Sequence, residues 1–287
     1  MNSLKDVDFL IQLLDDPEAD VFDQVKLKFL ELGKDAYPYL VSESETNANP
    51  LVQERLRSLM QQIESDQSLA EFAAWAQNED AQLIDGMVIL AKANNRYLDP
   101  YLLYGEIAQM KKNIWLEYNE YLTPLEQLNI FINILYNFYN IKHTAQQDTP
   151  PHSKFHFLDN IFNLKMGSTT AIDVLYLILF QKFEIPVVSY LLPNGNTILA
   201  YKDGTAEEKH QGILCFLFSS YGEILSYTDI YHNLKSINPN FKLELIQPLT
   251  NKQLLKNLLL QIVTDLKREN NTEQAELFQQ FYHLLEE

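Results

Sequence analysis

The sequence predicts an α+β protein: a helical N-terminal region, a domain with a buried helix against an antiparallel sheet, and a closing helical hairpin. Three observations carry this expectation. Apolar residues recur at helical spacing through residues 1–140. A nearly all-apolar stretch at 171–183 precedes three β-like runs, at 186–192, 197–201 and 213–218. An amphipathic pair of helical segments then fills 250–286, around Asn270-Asn271. The expected divisions are therefore 1–140, 141–249 and 250–287. No Gly/Ser-rich linker separates them, so one continuous body is expected.

In chain order, Leu10, Leu13 and Leu14 open the first helical segment, which Asp15-Asp16-Pro17 ends. Val21, Phe22, Val25, Phe29 and Leu32 share one face of the second, and Gly33 follows as its C-terminal stop. This pattern is HEAT-like, but one such unit is too few for a solenoid. Residues 35–41 and 51–63 add amphipathic pieces, and helical periodicity continues from 69 to 139. Asp99-Pro100 and Thr123-Pro124 each place a capping residue before a proline, a helix start. Thr123 and Glu126 have the spacing of a capping box. The polar stretch HTAQQDTPPHSK (143–154) reads as a loop. Residues 157–164 form a short helix, and Gly167-Ser168-Thr169-Thr170 opens the helix that is apolar on most sides and hence buried. Asn194-Gly195 signals a hairpin between the first two strands. The polar link 202–212 makes the second and third strands antiparallel neighbours, and the closing helix pair is TPR-like.

The composition narrows the function. Apolar residues make up 46% of the chain, enough for a packed core, which excludes wholesale disorder. A formal charge of −17 repels phosphate backbones and anionic membranes. The pairs Lys111-Lys112 and Lys267-Arg268 are isolated and read as solvated helix faces. No nucleic-acid or membrane partner is expected. The N-terminal segment lacks the pattern of a signal peptide, and no run approaches ~18 apolar residues, so the expected location is cytoplasmic. A single cysteine excludes an intramolecular disulfide. No cofactor is expected, because none of the eight glycines forms a phosphate-binding loop. No metal site is expected either: His152 and His156 are spaced i, i+4 and Asp148 and Asp159 could join them, but Pro150-Pro151 argues for a loop and no Cys or carboxylate trio sits at ligand spacing nearby.

The segment FLDNIFNLKMGSTTAIDVLYLILFQKFEIPVVSYLLPNGNTILAY (157–201), followed by Gly222-Glu223-Ile224-Leu225-Ser226, carries a family resemblance. With LLDDPEADVF, NPLVQERL and IWLEYNEYLTPLEQL upstream and the closing helix pair, it resembles the SirB-type branch of the transglutaminase-like superfamily. The resemblance spans nearly the whole chain and implies a papain-like domain over 141–249. It also implies three catalytic positions: a Cys at the start of the central helix, a His on a neighbouring strand and an Asp on the next. Matched residue by residue, these positions hold Thr169, Asn196 and Leu217, with Ser219 an alternative for the last. SirB-type relatives generally lack the Cys and often keep the His and Asp, so this chain departs further from the active pattern.

Structural roles suit several of these residues. Thr169 and Thr170 suit helix capping, with Thr170 and Asp173 close to a capping box. Asn196 completes the hairpin turn. Cys215, among Leu214, Phe216, Leu217 and Phe218, packs as a small hydrophobe whose burial raises its pKa. His143, His210, His232 and His283 read as loop or surface-helix residues, and Glu207-Glu208 as a loop charge pair. The cleft candidates are Gly167, Ser168, Thr169, Thr170, His156, Asp159 and Asn160. The expected function is that of a pseudo-enzyme: no catalysis, and a binding or scaffolding role with a protein partner. The alternative is an unconventional hydrolase using Thr169 or Ser168 with His156 as base, which requires that imidazole within ~3 Å of the hydroxyl.

Overall fold

The structure, a computed structural model, describes residues 7–119, 121–144, 152–203, 212–237, 239 and 247–286. The chain divides into two compact units, Met1–Ala74 and Trp75–Glu287. The first contains α1 (Val7–Gln12), α2 (Ala19–Leu32), α3 (Tyr37–Thr46) and most of α4 (Pro50–Gln77). Val25 and Phe29 of α2 meet Leu40, Val52, Leu56 and Leu59 in its core, as the apolar spacing predicts. Gly33 ends α2 with a φ of +54°, a conformation that disfavours a side chain. Arg55 donates to the carbonyl oxygens of Leu14 (3.0 Å) and Asp16 (2.5 Å), which holds the turn before α2.

The second unit holds α5 (Leu83–Asn94), α6 (Pro100–Glu117), α7 (Pro124–Ile132), α8 (Leu158–Leu164) and α9 (Thr169–Lys182). It also holds α10 (Tyr227–Ile237), α11 (Asn251–Arg268) and α12 (Thr272–His283). Both proline-marked starts form: the Asp99 side chain accepts from the Tyr101 N–H, and Thr123 and Glu126 make a full capping box. From Thr170 to Phe180 every residue of α9 is buried. This helix packs between α5 and α6 and strands β3 (Val187–Leu191) and β4 (Thr197–Lys202). The expected sheet is antiparallel, in the order β3-β4-β5-β6, with β5 at Ile213–Phe218 and β6 at Glu223–Ser226. The hairpin closes where Asn194-Gly195 predicts it: the Leu192 N–H donates to Asn196 O (2.8 Å), and Gly195 has a φ of +82°.

Residues 141–249 share this unit with α5–α7 and the α11–α12 hairpin. Five elements have no counterpart in the sequence reading. These are β6, α10, a π-helical turn at Asn133–Phe138, and a parallel pair of β1 (Lys142–His143) with β2 (Met166–Gly167). A two-residue strand has no periodicity to read, and β6 is a partly exposed edge strand. Asp148, Pro150-Pro151, Glu207-Glu208 and His210 lie outside the described residues.

Candidate active site at the start of helix α9

Ser168, not Thr169 or Thr170, caps α9. Its backbone is extended (φ −66°, ψ 156°), and its Oγ accepts from the Ala171 N–H at 3.3 Å. Thr169 and Thr170 are already helical. Asp173 makes no capping box. Its buried carboxylate accepts from Thr197 Oγ1 (2.6 Å) and from the Ser219 hydroxyl. Burial pushes Asp173 up to about 7, against the lowering effect of those two bonds. Gly167 is closely packed, since a Cβ there would sit 3.0 Å from both Ile161 and Ile172.

His156 ends a 3-10 turn at Ser153–His156 and is almost wholly buried. Its Nδ1 lies 2.9 Å from Ser168 Oγ, and its Nε2 lies 2.9 Å from Asp265 Oδ2. A carboxylate only accepts, so Nε2 carries the ring proton in a neutral imidazole. Nδ1 is then left as acceptor for the Ser168 hydroxyl. Asp265 comes from α11. Desolvation would raise its pKa, but the His156 hydrogen bond and the charges of His156, Arg268 and His152 outweigh it and hold it low. Arg268 Nη1 contacts the other carboxylate oxygen at 3.1 Å. Thr169 is served by a different ring: its Oγ1 lies 3.3 Å from His143 Nδ1. His143, expected in a loop, sits on β1 beside the helix start.

These groups open onto a cleft of about 580 Å³. Ser168, Thr169, His156 and Asn196 line it, with His143, His152 and Arg268 at the same cavity. Four of the expected cleft residues do not line it. Gly167 is packed between Ile161 and Ile172, while Thr170 is buried and accepts from Gln261 (2.8 Å). Asp159, also buried, faces Asn95 at 3.5 Å, with a pKa raised by desolvation, and Asn160 adjoins it on α8. Leu217 is buried in β5 between Leu199 and Ile224, away from the cleft. Cys215 is buried on the same strand, and burial pushes its thiol up to about 11.

The sequence reading missed Asp265, Arg268 and His143 as site residues. Asp265 lies 109 residues from His156, and nothing in its helical surroundings distinguishes it from a surface acid. Lys267-Arg268 read as a solvated pair, yet Arg268 reaches back one turn to Asp265 at the cleft.

A family model described as the transglutaminase-like superfamily matches residues 103–260, more than half of the chain. The chain belongs to the transglutaminase-like superfamily. No curated protein and no solved structure matches. The transglutaminase-like match contains Ser168 and His156 and stops short of Asp265. No group of three His, Cys, Asp or Glu suited to a metal ion occurs among the described residues, and no described helix is long and apolar enough to cross a membrane.

Proposed function

We propose that the cleft is the active site of an acyl-transfer hydrolase, with Ser168 as nucleophile, His156 as its base and Asp265 orienting the ring. The observation behind this reading is the imidazole bridging Ser168 and Asp265, at 2.9 Å on each side. The Ser168 proton passes to His156 Nδ1 as Oγ attacks a carbonyl carbon. The leaving group then takes that proton, and an acyl-serine remains. Water, activated by the same nitrogen, releases the acid and restores the serine. Asp265 keeps Nε2 protonated and stabilises the imidazolium. The Ala171 N–H already points at Oγ, and the first-turn amides of Thr169 and Thr170 have no intrahelical acceptor to satisfy them. Together with the positive end of a 14-residue helix, they favour developing negative charge at this point. The test is turnover of activated esters and of a peptide-amide library. Ser168→Ala should abolish it while Thr169→Ala retains most of it. Turnover that survives Ser168→Ala would refute the reading.

A second reading is a cleft that binds without catalysis. It is favoured by Thr169, which stands where the resemblance implies a thiol, and by Cys215 lying buried in the sheet. In that reading the protein is a SirB-type scaffold with a HEAT-like start and a TPR-like end. It would engage a protein partner in the cytoplasm, and neither nucleic acid nor membrane. A ligand held equally well by wild type and Ser168→Ala, with no turnover by either, would favour this reading.

A further inference from the structure

The turn that carries His156 is short; at its ends the Phe155 N–H donates to His152 O at 3.0 Å, and the Phe157 N–H to Lys154 O at 3.4 Å. Besides the two bonds of the His156 ring, hydrogen bonds on both sides tie the turn to its neighbours. The Ser168 N–H donates to Phe155 O at 2.8 Å, which ties the turn to the start of α9. On the other side, Glu269 takes both donors of Ser153: the N–H reaches Oε1 at 2.8 Å and the hydroxyl reaches Oε2 at 2.6 Å. Ser153 is buried, and a carboxylate accepting two bonds forms a stronger and more directional clamp than a neutral acceptor. Glu269 stands four residues after Asp265 at the end of α11, so the two carboxylates lie on one helix face. One holds the ring of His156, and the other holds the backbone three residues before it.

We propose that Glu269 is a positioning residue for His156, acting through Ser153, so that the C-terminal hairpin is part of the site. The inference rests on the hydrolase reading for its effect on rate, but its effect on the ring stands apart from turnover. Asp265 and Glu269 both lie beyond residue 260, outside the superfamily match. The Glu269 bonds to Ser153 give the turn an anchor on α11, beside its tie to α9 through the Ser168 N–H and Phe155 O.

The experiment compares wild type with Glu269→Ala, Glu269→Gln, Ser153→Ala and the Glu269→Ala/Ser153→Ala double variant. It reads kcat and KM on an activated ester, the His156 ring N–H resonance in protein labelled with 15N-histidine, and the melting temperature. His156→Gln assigns the resonance. Glu269→Ala should lower kcat by up to about 100-fold with KM little changed, as expected for a misplaced base. It should also weaken the ring resonance at temperatures where the fold is intact. Glu269→Gln, which can still bond both Ser153 groups, should recover most of each. Ser153→Ala should add little on top of Glu269→Ala, since both break one clamp. A ring resonance that is unchanged in Glu269→Ala, or absent in wild type, overturns the proposal. A resonance present in wild type and lost in Glu269→Ala, without ester turnover in either, upholds the clamp and overturns the hydrolase reading. If Glu269→Ala fails to fold, the similar-sized Glu269→Met, which can accept neither Ser153 bond, decides: an unaltered resonance there refutes the clamp.

Discussion

Replacing Asp173 by Asn should remove a pH-dependent destabilisation built into the centre of the second unit. Asp173 is fully buried on α9, with the Thr197 and Ser219 hydroxyls as its partners. Its pKa rises from 3.8 to about 7, with desolvation as the largest cause. In the unfolded chain the carboxyl ionises near its ordinary value, so between roughly pH 4 and pH 7 the folded state binds the extra proton. Stability therefore falls as pH rises through that window. At about 1.4 kcal/mol per pH unit, an interval of roughly three units amounts to ~4 kcal/mol, an upper bound. Asparagine does not titrate, and the two hydroxyls can turn to accept from its amide. The difference in unfolding free energy between wild type and Asp173→Asn should therefore shift in favour of the variant by up to ~4 kcal/mol between pH 4 and pH 8. Urea unfolding followed by tryptophan fluorescence measures this in the right place, because Trp75 and Trp115 both belong to the second unit. Parallel stability profiles for the two proteins would refute the reasoning.

Other outcomes follow from packing and burial. Gly86→Ala would gain about 1 kcal/mol from helix propensity, but its Cβ would meet Leu255 Cδ1 at 2.6 Å and Trp75 at 2.9 Å. Overpacking of ~1–3 kcal/mol should win, so the melting temperature should drop; a rise would show that Leu255 yields freely. Thr123→Ala removes the hydroxyl half of a formed capping box, leaving the residue-123 N–H on Glu126, and should cost about 1 kcal/mol by urea unfolding. Cys215, buried with its thiol pushed up to about 11, should stay unreactive to a disulfide-exchange reagent at pH 8 until the protein is unfolded. Rapid native labelling would contradict that placement.

Much of the frame around the site is legible in the residues. AIDVLYLILF has no polar face wide enough for water, so α9 had to be central. Asn194-Gly195 set the hairpin, and Asp99-Pro100 and Thr123-Pro124 set two helix starts. The cap of α9 was not legible, because Ser168, Thr169 and Thr170 can each cap a helix. Tertiary pairing decided it. Gly167 is held extended in β2, where its carbonyl accepts from the Thr144 N–H at 3.1 Å, so Ser168 becomes the cap and the helix begins at Thr169. The relay itself joins a turn, a helix start and a distant helix. Its members share no local spacing, and nothing in the order of residues brings Asp265 to His156.

The most direct test of the central claim is covalent labelling with a fluorophosphonate, whose phosphorus is attacked by an activated serine as fluoride leaves. Intact mass should show one adduct on the wild-type protein, and peptide mapping should place it on Ser168. It should be missing in Ser168→Ala and much slower to form in His156→Gln. An adduct on another residue, labelling at an equal rate in His156→Gln, or no adduct in folded wild-type protein would contradict the account.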